Sequence, residues 1–365
     1  MLNILILGGT GAMGVHLKDC LLEAGHEVYI TSRSAHKSEG RLHYFCGNAM
    51  DSGFINQVLN SQSWDAIVDF MVYDTDLFKT RCESLLSATR QYVFISSSRV
   101  YSNHDKYITE ETPRLLDVSN DIEYLATDEY ALRKAREEDI LKNSGYTNYT
   151  IIRPYITYSE NRLQLGDLEH SNWLYRALAG RTIVFSKDVA NHYTTLTYGK
   201  DVAYGIAVLI GKTEAFGQAF HITSSTSILW KDVLEIYLNA IEKCTGVRPK
   251  VKMIDKSMKL SDESSKYQIL CDRLYDRRFD NSKIQHFIKR EFMTPQEGLP
   301  KCINEFVKNW KSTKISYLEE AERDIITQEH IPLREIDTLR NKIIYISCRY
   351  FRMSNVLRRI VMLNK

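Results

Sequence analysis

A four-residue aliphatic run, Ile4-Leu5-Ile6-Leu7, feeds directly into Gly8-Gly9-Thr10-Gly11-Ala12-Met13-Gly14. No other stretch constrains the fold as much, because a buried strand must turn sharply and pass at once into a helix. Glycines permit the turn and let a ligand approach the backbone. From Val15 to Ala24, Val15, Leu17, Leu21 and Leu22 fall near one helical face. Gly25-His26 closes that helix and Val28-Tyr29-Ile30 opens a second strand, which completes a strand–helix–strand unit. Three spaced glycines alone describe any tight turn. In this context they describe an anion cradle, since the first helical turn offers unpaired N–H groups and a positive dipole end. A dinucleotide pyrophosphate is the usual guest.

Strand patterns at Asn3–Leu7, Glu27–Ile30, Leu42–Phe45, Ala66–Phe70, Tyr92–Ser96, Tyr149–Arg153 and Ala219–Thr223 alternate with helical patterns, among them Phe54–Asn60, Leu77–Thr89 and Asp128–Asn143. That order predicts an α/β fold, a doubly wound parallel sheet of the Rossmann type. Residues 1–155 form the expected dinucleotide-binding domain, with 193–225 returning to it. Residues 156–192 and 226–310 form a smaller substrate lobe, with helices at Trp230–Cys244 and within Lys256–Trp310. Residues 311–365 form a helical, amphipathic extension. After Asp337 it carries Arg340, Lys342, Arg349, Arg352, Arg358, Arg359 and Lys365 and no acidic residue, interleaved with apolar residues. Such a helix can lie on an anionic membrane surface, or pack on its own domain or a partner subunit.

The 365 residues are 44% hydrophobic with a formal charge of +2, which supplies a large core and argues against wholesale nucleic-acid binding. Seven scattered cysteines form no Cys-x-x-Cys pair, so neither a metal site nor a disulfide framework is indicated, and free thiols in a reducing cytoplasm are expected. A core strand begins about two residues in, where a secretory leader would stand, and no apolar run is long enough to span a bilayer.

Two further patterns carry chemistry. Tyr130-Ala131-Leu132-Arg133-Lys134 sets a tyrosine and a lysine four apart on one helical face. A cation near a phenol favours phenolate, which can exchange a proton with a hydroxyl or carbonyl. Upstream, Phe94-Ile95-Ser96-Ser97-Ser98-Arg99-Val100-Tyr101 is a strand ending in serines. The carboxyl ends of parallel strands are where ligands bind in open sheets, and a serine there can polarise a reacting oxygen. Each pattern alone also fits a polar turn or a solvated helix face; all three in this order are far more specific.

Over roughly residues 1 to 300 the chain resembles an extended short-chain dehydrogenase/reductase, a superfamily branch that includes nucleotide-sugar epimerases, dehydratases and reductases. The resemblance rests on Gly8, Gly11 and Gly14, on Ser97 three residues before Val100-Tyr101, on Tyr130 and Lys134 followed by Glu138, and on Arg153-Pro154, Asp201-Val202-Ala203 and Asp280-Asn281-Ser282-Lys283. It implies catalysis by Ser97, Tyr130 and Lys134, with Lys134 also bonding the nicotinamide ribose. It implies cofactor contacts from Gly8, Thr10, Gly11, Ala12, Met13 and Gly14, and a homodimer. Family members that use NAD usually end the second strand in aspartate; here Thr31-Ser32-Arg33 offers no carboxylate, and Arg33 can pair with a 2′-phosphate, so NADP is favoured over NAD. Asn48 stands where the family often places an adenine-contacting aspartate. Asp69-Phe70-Met71-Val72-Tyr73 departs from the family's His-x-Ala segment, and Thr80-Arg81-Cys82 replaces its Asn-x-x-Gly-Thr helix. Ser98-Arg99 replaces the Asp-Glu acid–base pair of 4,6-dehydratases, which disfavours that reaction. The expected function is an NAD(P)-dependent nucleotide-sugar epimerase or 4-ketoreductase in the cytoplasm, with Arg162, His192, Arg273 and Arg277 as candidate cations for the nucleotide diphosphate. The competing expectation is a non-catalytic dinucleotide-binding scaffold or sensor whose tail docks a partner or membrane.

Overall fold

The computed structural model describes residues 1–257, 265–310 and 314–363, the last five by backbone alone. Residues 258–264 of the expected Lys256–Trp310 lobe, and the side chains of Arg359 and Lys365 in the basic extension, lie outside the described residues. The chain divides into two compact units.

The first unit holds residues 1–161, 194–227 and 276–298. Its strands are β1 (Asn3–Leu7), β2 (Glu27–Ser32), β3 (Leu42–Cys46), β4 (Ala66–Asp69), β5 (Tyr92–Ile95), β6 (Tyr149–Pro154) and β7 (Gln218–Ile222). They make one parallel sheet in the order β7-β6-β5-β4-β1-β2-β3. The strand order reverses between β1 and β4, the switch point at which such sheets bind ligands. Both faces are covered, as a parallel sheet requires. Ile4 and Ile6 pack in one core with Leu17, Leu21, Val202 and Ile206, from α1 (Gly14–Glu23) and from a later helix. Leu5 and Leu7 point the other way, toward Ile55, Phe78, Leu85 and Phe94. That second core lies under α2 (Ser52–Leu59) and α3 (Thr75–Ser87), each started by an aspartate side chain, Asp51 and Asp74, that accepts a first-turn N–H at 2.7 Å. Helix α4 (Tyr130–Lys142) packs beside α3, and α5 (Gly199–Leu209) beside α1.

The second unit holds residues 162–193, 228–275 and 299–365. A parallel pair, Ile183–Ser186 with Val251–Ile254, lies among helices His170–Leu178 and α6 (Trp230–Thr245), whose Trp173 and Tyr237 rings stack at 4.4 Å. Gly246, at φ +76°, ends α6 with a left-handed residue. Helices α7 (Tyr317–Thr327) and α8 (Leu339–Phe351) close a satellite core of Ala321, Ile331, Ile336, Tyr345 and Cys348. Helix α9 (Ser354–Leu363) follows. The buried Arg176 guanidinium ties α7 down, lying 2.8 Å from both Glu320 and Asp324 and 3.0 Å from Glu329. No helix of the described residues is long and apolar enough to cross a membrane.

Candidate active site

The site is built at the carboxyl ends of β1 to β5. Gly8 holds φ +73°, which L side chains rarely adopt, and Thr10 N–H closes the turn on Gly8 O at 2.9 Å. A Cβ on Gly14 would fall 2.6 Å from the Gly9 backbone, so glycine lets α1 begin tight against the turn. A Cβ on Gly11 would meet nothing within 4 Å, so the space beside this residue is open to a ligand. No side chain caps α1 and no acidic residue sits in its first turn, which leaves its positive end unneutralised. An uncapped helix start beside an open glycine fits a pyrophosphate.

Beside the turn lies a cleft of about 570 Å³ lined by Gly8, Thr10, Ser32, Arg33 and Asn48, together with His36, Met71 and Val72. Five residues that the sequence marks for the cofactor thus come together, while Gly11, Ala12, Met13 and Gly14 form the adjoining turn. Ser32 turns inward, its hydroxyl accepting Ser34 N–H at 3.1 Å. Arg33 is exposed and has no ion pair among the described residues. Asn48 Oδ1 accepts Met50 N–H at 3.1 Å. The loop carrying Asn48 is clamped by Arg81, which donates to Ala49 O at 2.8 Å and to Met50 O. In the sequence Arg81 stands out only as a departure from the family pattern at Thr80-Arg81-Cys82. A larger recess of about 1140 Å³ opens near Asn3, Trp64 and Asp65, at the amino ends of β1 and β4 and away from the glycine turn. The carboxyl ends carry the chemistry in such sheets, so the smaller cleft is the relevant one.

The strand expected to run to Ser96 stops at Ile95, because Ser97 Oγ accepts Arg99 N–H at 3.2 Å and starts a 3₁₀ turn, Ser98–Val100. Ser96 donates to Glu138 Oε1 at 2.6 Å and Ser98 to Arg153 O at 2.7 Å. Ser97 is buried to 7% exposure, and its own hydroxyl proton has no acceptor among the described residues. Helix α4 begins at Tyr130, two residues later than the sequence pattern predicts, because the Glu129 carboxylate accepts Ala131 N–H at 2.8 Å and caps it. Tyr130 is half-buried, and its phenol makes no hydrogen bond among the described residues. Arg99 lies over its ring at 5.2 Å and pairs with Glu129 at 2.6 Å. That arginine joins the serine turn to the start of α4. The sequence showed Arg99 only as the replacement of a dehydratase glutamate base.

Lys134 is 1% exposed, one helical turn on. Its ammonium sits 2.9 Å from Glu137 Oε2 and 4.6 Å from the Phe94 ring centre. It is not hydrogen-bonded to Tyr130. Burial pushes the Glu137 carboxyl up to about 7, with Lys134 opposing the shift. Burial also raises Asp69, which accepts hydrogen bonds from Tyr73, Tyr92 and Met71 N–H. Glu138 faces elsewhere, against Arg153 at 2.6 and 2.8 Å, and that guanidinium holds its carboxyl below the usual range in spite of burial. Neither Glu137 nor its contact with Lys134 was singled out from the sequence.

Of the four candidate substrate cations, only Arg277 belongs to the sheet unit. It is buried and donates to Tyr101 O and Ser102 O, both at 3.1 Å. In the second unit, buried Arg273 pairs with Asp272 and donates to Gly166 O at 2.9 Å, while Arg162 pairs with Glu169 at 3.1 Å. His192 O accepts Trp230 N–H at 3.1 Å.

A model of the NAD dependent epimerase/dehydratase family matches residues 4–222, more than half of the chain. The chain belongs to this family. The matched segment contains the glycine turn, the serine cluster, Tyr130 and Lys134. Among curated proteins, the chloroplast stem-loop binding protein of 41 kDa b of Arabidopsis thaliana is 25% identical over 239 residues, 60% of this chain. The chain spans 58% of that relative's length. Among solved structures, the Bordetella bronchiseptica enzyme WbmH in complex with NAD+ superposes with a TM-score of 0.63 at 18% identity, over 85% of this chain and 99% of that one. The dTDP-glucose 4,6-dehydratase of Bacillus anthracis in complex with NAD gives 0.64 at 17%, over 85% and 97%. The UDP-glucuronic acid 4-epimerase of Bacillus cereus in complex with NAD gives 0.63 at 14%, over 85% and 100%. At these identities the likenesses establish the shared fold.

Proposed function

We propose that the protein is an NAD(P)-dependent enzyme acting on a nucleotide sugar, as an epimerase or a 4-ketoreductase, with Ser97, Tyr130 and Lys134 as its catalytic residues. One observation carries the reading. In a region where Ser96, Ser98, Glu138 and Arg153 are all hydrogen-bonded, the Ser97 hydroxyl proton and the Tyr130 phenol have no hydrogen-bond partner among the described residues. Buried polar groups are ordinarily satisfied, so groups left open at strand ends are available to a ligand.

When bound, the nicotinamide cofactor accepts and returns hydride. Tyr130 takes the proton of a sugar hydroxyl as its carbon is oxidised, and gives it back on reduction. Ser97 donates a hydrogen bond to the same oxygen and stabilises charge developing there. Lys134 has three N–H donors and only Glu137 beside it, at 2.9 Å, so donors remain to hold the cofactor ribose. The turn from Gly8 to Gly14 would hold the pyrophosphate, and Asn48 and Ser32 would border the adenosine. Exposed, unpaired Arg33 favours NADP. The NAD named with the similar solved structures is the counterweight.

A second reading, a dinucleotide-binding protein without turnover, is favoured by the close approach of Lys134 to Glu137, which draws the ammonium toward a carboxylate. Incubation with UDP- and dTDP-hexoses and each cofactor, followed by chromatography of the sugar nucleotides, separates the two. Conversion of one of them supports the enzyme. Tight cofactor binding with no conversion across the panel supports the second reading.

A further inference from the structure

Helix α8 carries apolar side chains on two opposite faces. At about 100° per residue, Tyr345 and Cys348 point together into the satellite core and are buried. Leu339, Ile343, Ile346 and Tyr350 recur at i, i+4, i+7 and i+11 and point the other way. Leu339 is 74%, Ile343 56% and Tyr350 60% exposed. Just beyond, Phe351 is 70% exposed and Val356 51%. A helix docked by one face is ordinarily polar on the other, and a contiguous open apolar stripe marks an interaction surface.

The charges around the stripe indicate what covers it. After Asp337 the chain has seven cationic residues and no acidic one. Arg349 donates to Glu329 O and Arg358 pairs with Glu322. Arg340, Lys342 and Arg352 have no ion pair among the described residues, and Arg340 and Arg352 are exposed. Two copies of this stripe face to face would set cations against cations. Aliphatic and aromatic side chains flanked by unpaired arginine and lysine, by contrast, are what an interfacial helix presents to anionic lipid.

We propose that the outer face of α8 docks the protein on an anionic membrane surface. Leu339, Ile343 and Tyr350 enter the headgroup layer, and Arg340, Lys342 and Arg352 meet the lipid phosphates. This surface is independent of the proposed catalysis. The test is flotation of the full chain with phosphatidylcholine vesicles, with and without phosphatidylserine, at low and high salt. Two variants accompany it, Ile343→Glu with Tyr350→Glu, and Arg340→Glu with Lys342→Glu. The expected result is flotation with the anionic vesicles only, weakened by salt and reduced about tenfold or more by either variant. Unchanged melting temperatures in both variants exclude misfolding as the cause. Three outcomes overturn the proposal: no flotation, equal flotation on neutral vesicles, or a dimer by light scattering that Ile343→Glu dissociates, which would assign the face to a second copy.

Discussion

Ser96, Ser97 and Ser98 are chemically identical neighbours, and the fold gives each a different partner. Ser96 holds Glu138 and Ser98 holds a backbone carbonyl, which leaves Ser97 as the hydroxyl with a proton to offer. The serine cluster and the Tyr130/Lys134 pair were legible because spacing along a strand end and a helix face is local information, and the family resemblance then singled out Ser97 among the three serines. Arg99 over Tyr130 and Glu137 beside Lys134 were not legible, since both contacts depend on where side chains separated by a turn or a loop meet in the fold. Glu137 gives the clearest pH signature. Its carboxyl, raised from 4.5 to about 7, holds a proton more tightly folded than unfolded, against Lys134 and Arg133, which favour the charged form, and Asp69, which opposes it. That stability is fully present below about pH 4.5 and is lost as the pH rises through about 7, a change of ~3 kcal/mol. Glu137→Gln therefore flattens the parent's decline in urea midpoint over this window; parallel profiles for the two proteins would refute the assignment. The proposed preference for NADP rests on Arg33. Arg33→Ala is expected to weaken NADPH binding by about ten- to a hundredfold, the loss of one charged hydrogen-bonded contact, and to leave NADH binding unchanged. Equal loss for both, in a fluorescence titration, would remove Arg33 from any 2′-phosphate site.

At the scale of elements, short apolar runs and the period-3.6 patterns between them located the seven sheet strands and the helices that join them, with ends shifted by a residue or two. The shifts have causes in side-chain caps, as Glu129 shows for α4 and Ser97 for the end of β5. The extension was less legible. Its apolar residues fit a docked helix as well as an interfacial one, with docking the commoner case, and α8 presents one apolar face to the protein and another outward. What fastens this region is a buried charge cluster that hydrophobic periodicity cannot reveal. Arg176 reaches Glu320, Asp324 and Glu329, three carboxylates more than 140 residues away in sequence. Removing one member leaves buried charges uncompensated, so Arg176→Met is expected to destabilise by about 3–5 kcal/mol. Faster hydrogen exchange across α7 and α8 should accompany it. A loss below about 1 kcal/mol, typical of an exposed pair, would show that the cluster does not anchor the extension.

For the whole molecule, the doubly wound parallel sheet and the family were readable because the glycine turn and the later motifs follow one another in sequence. The return of residues 194–227 and 276–298 to the sheet unit depends on long-range packing; the sequence indicated the first segment through Asp201 and the strand after it, and not the second. There Arg277, expected to meet substrate phosphate, donates to the Tyr101 and Ser102 carbonyls. Turnover belongs to the whole protein, and the most direct measurement compares it in the parent and in Tyr130→Phe, on the nucleotide sugar that the parent converts, together with the cofactor dissociation constant of each. The expected result is a fall in kcat of about 10²–10⁴-fold with unchanged cofactor affinity. A variant that keeps the parent's kcat would contradict proton exchange by Tyr130, and with it the assignment of this strand-end site as the active site.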